Sequence, residues 1–164
     1  MGYTHYWTFK KPKSIKSRHA EIESRYQLAM RQCQRIVKAY QSQYEKGDDC
    51  RLSGPSAHTR VNDYLGVKFN GCRGNDHEDF VLADHWSSNS EFNFCKTARK
   101  PYDQVVIACL ITLHHYLGDN LVDIGSDGYA SEWVDGLDLA KRVLRIKALS
   151  IPKTIERQLK VVSE

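Results

Sequence analysis

Tyr102–Leu117 reads YDQVVIACLITLHHYL, with Pro101 before it and Gly118 after it. The length suits a helix, Pro is at home just ahead of one, and Gly is the usual residue just past its end. Val105, Val106, Ile107, Cys109, Leu110, Ile111 and Leu113 leave no polar face. A helix that is apolar all round belongs inside a protein or inside a bilayer. Val105–Leu113 is about half of the roughly 20 apolar residues a bilayer crossing requires, so the reading is a central buried helix enclosed by other elements.

Working outward, those elements can be assigned in turn. Thr4–Phe9 is aromatic and β-branched and stops at Lys10-Lys11-Pro12, which predicts a strand. Between Ser17 and Gln43 there is no Gly or Pro, and Ile22, Tyr26, Ala29, Met30, Cys33, Val37 and Tyr40 recur at helical spacing, predicting a long amphipathic helix. Glu45–Ala57 carries the punctuation of a loop. His58–Val61, Leu65–Asn70, Asp79–Ala83 and Glu91–Cys95 read as short strands of an antiparallel meander. Beyond the central helix, Leu121–Ile124 returns as a strand and Ser126-Asp127-Gly128 is a turn. Glu132–Leu149 reads as a last long helix, with a helical stretch over Pro152–Val162. The expectation is an α+β single domain over residues 1–164, with a mostly antiparallel sheet, a long N-terminal helix, a buried central helix and a peripheral tail over 144–164.

Composition narrows the classes. The 164 residues are 41% hydrophobic and 27% charged, which fits a globular chain and excludes a disordered or fibrous one. The start, Met1-Gly2-Tyr3-Thr4-His5-Tyr6, lacks the layout of a secretory signal, and the five cysteines form no CxxC pair. Cytoplasmic residence without disulfides is expected. A net charge of +4 is modest for a dedicated nucleic-acid binder, and the Lys10, Lys11, Lys13, Lys16, Arg18 run reads as a solvated loop before it reads as a phosphate contact.

Three polar clusters are candidates for chemistry. The first is Phe94–Asp103, where Lys96, Thr97, Arg99 and Lys100 precede the positive end of the buried helix and favour a phosphate or carboxylate. The competing reading has Thr97 and Asp103 capping that helix with the cations solvated. The second is the loop Asn70–Glu78, in which Asp76, His77 and Glu78 offer acid–base groups or metal ligands. Because successive side chains on an extended segment alternate, an ordinary polar turn is favoured over a metal site. The third is the first strand, whose alternation puts Tyr3, His5 and Trp7 on one face, where aromatic and polar groups suit a nucleotide base or fill the core. His114-His115, near the end of the central helix, reads as structural. No metal or other cofactor is called for by any familiar motif.

The start MGYTHYW, the middle Val67-Lys68-Phe69-Asn70-Gly71 with Asp76-His77-Glu78, and Phe94–Asp103 (FCKTARKPYD) together resemble a family of small proteins encoded by tailed phages and prophages, over roughly the first three-quarters of the chain. The resemblance brings no single activity. It implies residence in the host cytoplasm and jobs such as antagonism of host defence, including sequestration or destruction of nucleotide signals. The leading expectation is therefore a binding protein for a phosphorylated small molecule, a nucleotide or nucleotide-derived immune signal. In it Lys96, Thr97, Arg99 and Lys100 hold phosphate, Tyr3, His5 and Tyr102 contact base or sugar, and Asn70 and Asp76 hydrogen-bond polar edges. The alternative is an enzyme cleaving phosphodiester or glycosidic bonds, with His5 or His77 as acid or base and Arg99 stabilising developing charge. A protein-binding inhibitor or small nucleic-acid-binding module is the third reading, and a homo-oligomer is compatible with each.

Overall fold

The strand Thr4–Phe9 (β1) buries Trp7 and Phe9 on one side and has a partner on each edge. The computed structural model describes residues 2–11, 18–58 and 66–159. Across β1, the strand Phe92–Lys96 (β5) pairs antiparallel with Tyr6 opposite Phe94, and Val122–Ser126 (β6) pairs antiparallel with Tyr6 opposite Gly125. A second small antiparallel sheet runs in the order β2, β3, β4, formed by Leu52–Ser53, Val67–Gly71 and Phe80–Leu82. Among the described residues, five helices and these two sheets make an α+β single-domain fold.

The expected meander is thus only half right. Phe92–Lys96 leaves its sequence neighbours and joins the first strand, burying Cys95 on the core side while Phe92 and Phe94 stay exposed on the other face. His58, expected to open a strand, instead ends the short helix α2 (Pro55–His58), and the rest of that expected strand lies outside the described residues.

Helix α1 (His19–Gln41) buries Ile22, Tyr26, Ala29, Met30, Cys33, Val37 and Tyr40, the stripe that the spacing predicts, and Ile36 beside it. That stripe packs against α3 (Asp103–Leu117). Buried positions run without a break from Val105 to Leu113, and α1, α4 (Val134–Leu144) and β6 all cover the helix. Thr112, the polar residue within the run, returns its hydroxyl proton to Ala108 O at 2.7 Å and so costs the core little. Gly118, with φ +74, stops the helix as expected. No helix among the described residues is long and apolar enough to cross a membrane.

The last long helix is shorter than its pattern suggests. A 3₁₀ turn, Ala130–Trp133, precedes α4, and Arg145 takes the left-handed conformation (φ 57) that ends it. The chain then returns to pack α5 (Lys153–Glu156) against β6, with Ile155 buried and the Thr154 hydroxyl donating to Ile124 O at 2.7 Å.

Candidate functional site

The ends of β1 and β5 and the start of α3 meet at one corner. Tyr3 O accepts the N–H groups of Thr97 (3.1 Å) and Ala98 (3.2 Å), which ties the β5–α3 turn to the first strand. Ala98 and Arg99 both adopt left-handed backbone, φ 51 and 57, costing about 1–2 kcal/mol each for residues with a Cβ. That turn folds Arg99 back, so its guanidinium carbon stands 4.2 Å above the Tyr3 ring and its Nε–H donates to Glu132 Oε1 at 2.9 Å. Burial works against the Glu132 charge, but the bonds from Arg99 and from Tyr129 N–H outweigh it and hold this carboxyl below the usual range.

Beneath Arg99 lies a buried polar relay. His5 is fully buried, with Nε2 2.7 Å from Asp103 Oδ1 and Nδ1 2.9 Å from Ser126 Oγ. A carboxylate only accepts, so Nε2 carries the proton it donates. Ser126 Oγ already accepts Gly128 N–H (2.9 Å) and the Trp133 indole N–H (3.4 Å), so its own proton goes to His5 Nδ1. Thr97 donates to the same Asp103 oxygen at 2.5 Å. Every hydrogen-bonding group of His5, Ser126 and Thr97 is thereby used inside the fold. Tyr3 is the exception, since its buried hydroxyl lies beside Ser126 without a well-aligned hydrogen bond among the described residues. Burial first, then the nearby Asp103 and Glu132, pushes that phenol well above its ordinary range.

The three sequence clusters converge in space. Glu78 N–H donates to Lys96 O at 3.1 Å, the Tyr102 hydroxyl donates to Glu78 O at 2.7 Å, and Lys100 Nζ donates to Gly74 O at 3.2 Å. The expected ligand contacts nonetheless take different places. Tyr3, His5, Thr97 and Tyr102 are buried, Arg99 is ion-paired, and Lys96 lies against Gly2. The Asn70 side chain staples its own loop, accepting from Gly71 N–H and His77 N–H and donating to His77 O and Asp79, while Asp76 and His77 are exposed. Neither Thr97 nor Asp103 caps α3. Thr97 donates to the Asp103 side chain, which is taken up by His5. The opening beside this corner, about 190 Å³, is lined by Arg99 and Lys100 but also by Asp103, Glu132 and Asp135, so carboxylates outnumber cations there.

The cationic opening lies next door. Lys46 and Arg51 from the α1–β2 loop, His58 at the end of α2, and Cys72 and Arg73 from the β3–β4 loop line a cleft of about 300 Å³ in which, among the described residues, Asp48 is the one carboxylate. Among the described residues, none of the three cations is ion-paired. Arg51 donates to Tyr44 O at 2.7 Å and is held half-buried. Gly47, at φ +99, carries no side chain where the Arg73 guanidinium rests over it. The Asp48 carboxylate is engaged by Cys50 N–H at 2.7 Å, and burial, then Asp48, raises the Cys50 thiol. Sequence reasoning misses this cleft because its cations are scattered from Lys46 to Arg73 and adjoin one another only through the fold. It also misses Ser126 as the partner of His5, since the turn signal at Ser126-Asp127-Gly128 accounts for the serine by itself.

Family models, curated proteins and solved structures were all compared with the chain, and none matches it.

Proposed function

We propose that the protein binds a phosphorylated small molecule, a nucleotide or nucleotide-derived signal, and holds it intact. The observation that carries this reading is the cleft where, among the described residues, Lys46, Arg51 and Arg73 face a single carboxylate. Arginine offers its fork of N–H donors to phosphate oxygens, and each charge-assisted bond contributes about 1.5–3 kcal/mol. A volume of about 300 Å³ is at the small end of ligand sites and suits one nucleotide or sugar phosphate better than a dinucleotide. The resemblance to phage and prophage proteins supports sequestration of a host defence signal as the purpose.

The test is mass spectrometry of small molecules released on denaturing the protein after incubation with nucleotide extract from phage-infected cells. The expected result is an intact phosphorylated compound carried by the wild type and lost from Arg51→Gln and Arg73→Gln. A compound retained by both variants would place the ligand elsewhere.

The Asp103–His5–Ser126 relay favours a second reading, a bond-cleaving enzyme, because a hydroxyl hydrogen-bonded to a carboxylate-backed imidazole is how a nucleophile is activated. Its burial and the saturation of Ser126 Oγ weigh against that reading. Breakdown products formed by the wild type and abolished in Ser126→Ala would establish it over sequestration.

A further inference from the structure

The two sheets are hydrogen-bonded to each other at one end, and beyond it they meet through Trp7 of β1, whose ring packs on Phe80 of β4 with centroids 5.2 Å apart. At the bonded end Glu78 N–H donates to Lys96 O at 3.1 Å, Lys96 N–H donates to Glu78 Oε2 at 2.7 Å, and the Tyr102 hydroxyl reaches Glu78 O and Lys96 O at 2.7 and 3.3 Å. Past this pin, among the described residues, β4 is paired with β3 alone and β5 with β1 alone. Their free edges border a groove of about 220 Å³ lined by Asp79 and Val81 on one side and Phe92, Asn93 and Phe94 on the other, with Trp7 between them.

The backbone of β5 sets what the groove offers. Glu91 O accepts Phe9 N–H and Thr97 N–H goes to Tyr3 O, so the odd-numbered positions of this segment bond β1. Antiparallel pairing alternates, so the N–H and C=O groups of Phe92 and Phe94 point away from β1. They have no hydrogen-bond partner among the described residues. Trp7 lines the floor of the groove. Trp7 is buried, and its indole N–H has no acceptor. Phe92 and Phe94 are 56% and 55% exposed and Val81 is 40% exposed, which gives the groove an apolar rim.

We infer that this groove is a docking site for an extended segment of a partner protein, which enters as an added strand between β4 and β5. An unpaired edge is a template for another strand, and strand addition is an established mode of peptide recognition. The occupant follows from what is missing. The edge needs alternating donors and acceptors at a strand's rise of about 3.3 Å per residue, which an extended peptide backbone supplies. Among the lining residues the sole charge is the Asp79 carboxylate, which Lys68 Nζ approaches at 3.9 Å, so the segment is mainly apolar and a flanking Lys or Arg shares that carboxylate with Lys68. A polyphosphate chain would meet repulsion there from Asp79.

The test uses a fluorescein-labelled, end-capped heptapeptide, Lys-Val-Thr-Val-Thr-Val-Lys, and the same peptide with its central valine replaced by proline. Fluorescence anisotropy should show saturable binding to the full chain, at least about tenfold weaker for the proline analogue, with the Phe92 and Phe94 amides protected from hydrogen exchange in the complex. Phe94→Pro removes an outward N–H without removing a bond to β1 and should lose the peptide. Phe94→Lys, which keeps the backbone intact, should weaken it if the apolar rim contributes, and thermal unfolding of each variant confirms that it is folded. Equal binding of the two peptides would overturn the inference, as would protection at residues outside β4 and β5. So would absence of binding across a library varied at the valine and threonine positions. Displacement of the peptide by oligo-dT, or concentration-dependent dimers that protect Phe92 and Phe94 without any peptide, would replace the proposed occupant with nucleic acid or a second copy.

Discussion

Gly136→Ala tests how closely the helices are fitted. Alanine in place of glycine ordinarily strengthens a helix by about 1 kcal/mol, and Gly136 lies in the first turn of α4. A Cβ there would stand 2.3 Å from Ile107 Cγ2, 2.7 Å from Ile107 Cβ and 3.0 Å from Gln104 O. Ile107 is β-branched and stiff, and the carbonyl belongs to α3 itself, so relief requires moving one helix from the other. Overpacking of this kind costs about 1–3 kcal/mol, and with two of the contacts this short the upper half of that range applies. Subtracting the helix gain leaves a net loss of about 1–2 kcal/mol, or roughly 2–8 °C in Tm for a chain of this size. Urea unfolding followed by tryptophan fluorescence measures it, with an unchanged slope required for the comparison. In a cycle with Ile107→Ala the double variant should be more stable than the two losses predict by at least about 0.5 kcal/mol. A Gly136→Ala protein as stable as wild type, or a strictly additive cycle, refutes the packing argument.

Ser126→Ala strands Gly128 N–H, the Trp133 indole and His5 Nδ1 together, and should cost about 2–4 kcal/mol in urea unfolding; a loss below about 1 kcal/mol would mean that water or a neighbour takes over. Tyr3→Phe removes a buried hydroxyl without a well-aligned hydrogen bond while keeping the ring under Arg99, so stability should hold or rise by up to about 1 kcal/mol, and a clear loss would reveal an unseen partner. Burial lifts the Cys95 thiol from 9.0 to about 12. The thiol ionises in the unfolded chain first, so its contribution is complete below pH 9 and declines from there toward pH 12. The gap between wild type and Cys95→Val should therefore shift by about 1 kcal/mol between pH 8 and pH 10. A pH-independent gap in urea midpoint would show that the thiol reaches solvent.

Where hydrophobic spacing is the signal, the chain could be read directly. The α1 stripe, the all-round apolar α3 and the alternation of β1 each specify an element and its buried face, and they appear in the structure near the expected limits. Pairing is another matter. Nothing local distinguishes Phe92–Lys96 as a partner of a strand some ninety positions earlier, since register is decided by which faces meet. The end of α4 was hidden because Arg145 takes a left-handed conformation that glycine usually signals. The candidate site was legible in part. The Phe94–Asp103 junction, the Asn70–Glu78 loop and the first strand do adjoin, yet Arg99 is occupied by Glu132 and the open cations are Lys46, Arg51 and Arg73. Charge neutralisation happens between elements, so a list of residue types along one segment cannot reveal it.

The central place of β1 also governs how the chain is made. Its edges are filled by β5 and β6, and His5 meets Ser126, a residue 121 positions later. At about 5–20 residues per second, the ribosome delivers that partner roughly 6–24 seconds after His5. Through that interval Trp7 and Phe9 are synthesised and still unhoused, and a nascent segment that is aromatic and β-prone is a natural client for a holdase. Yield of the folded protein should therefore respond to translation speed across α1 and the second sheet, with slow codons there lengthening the wait.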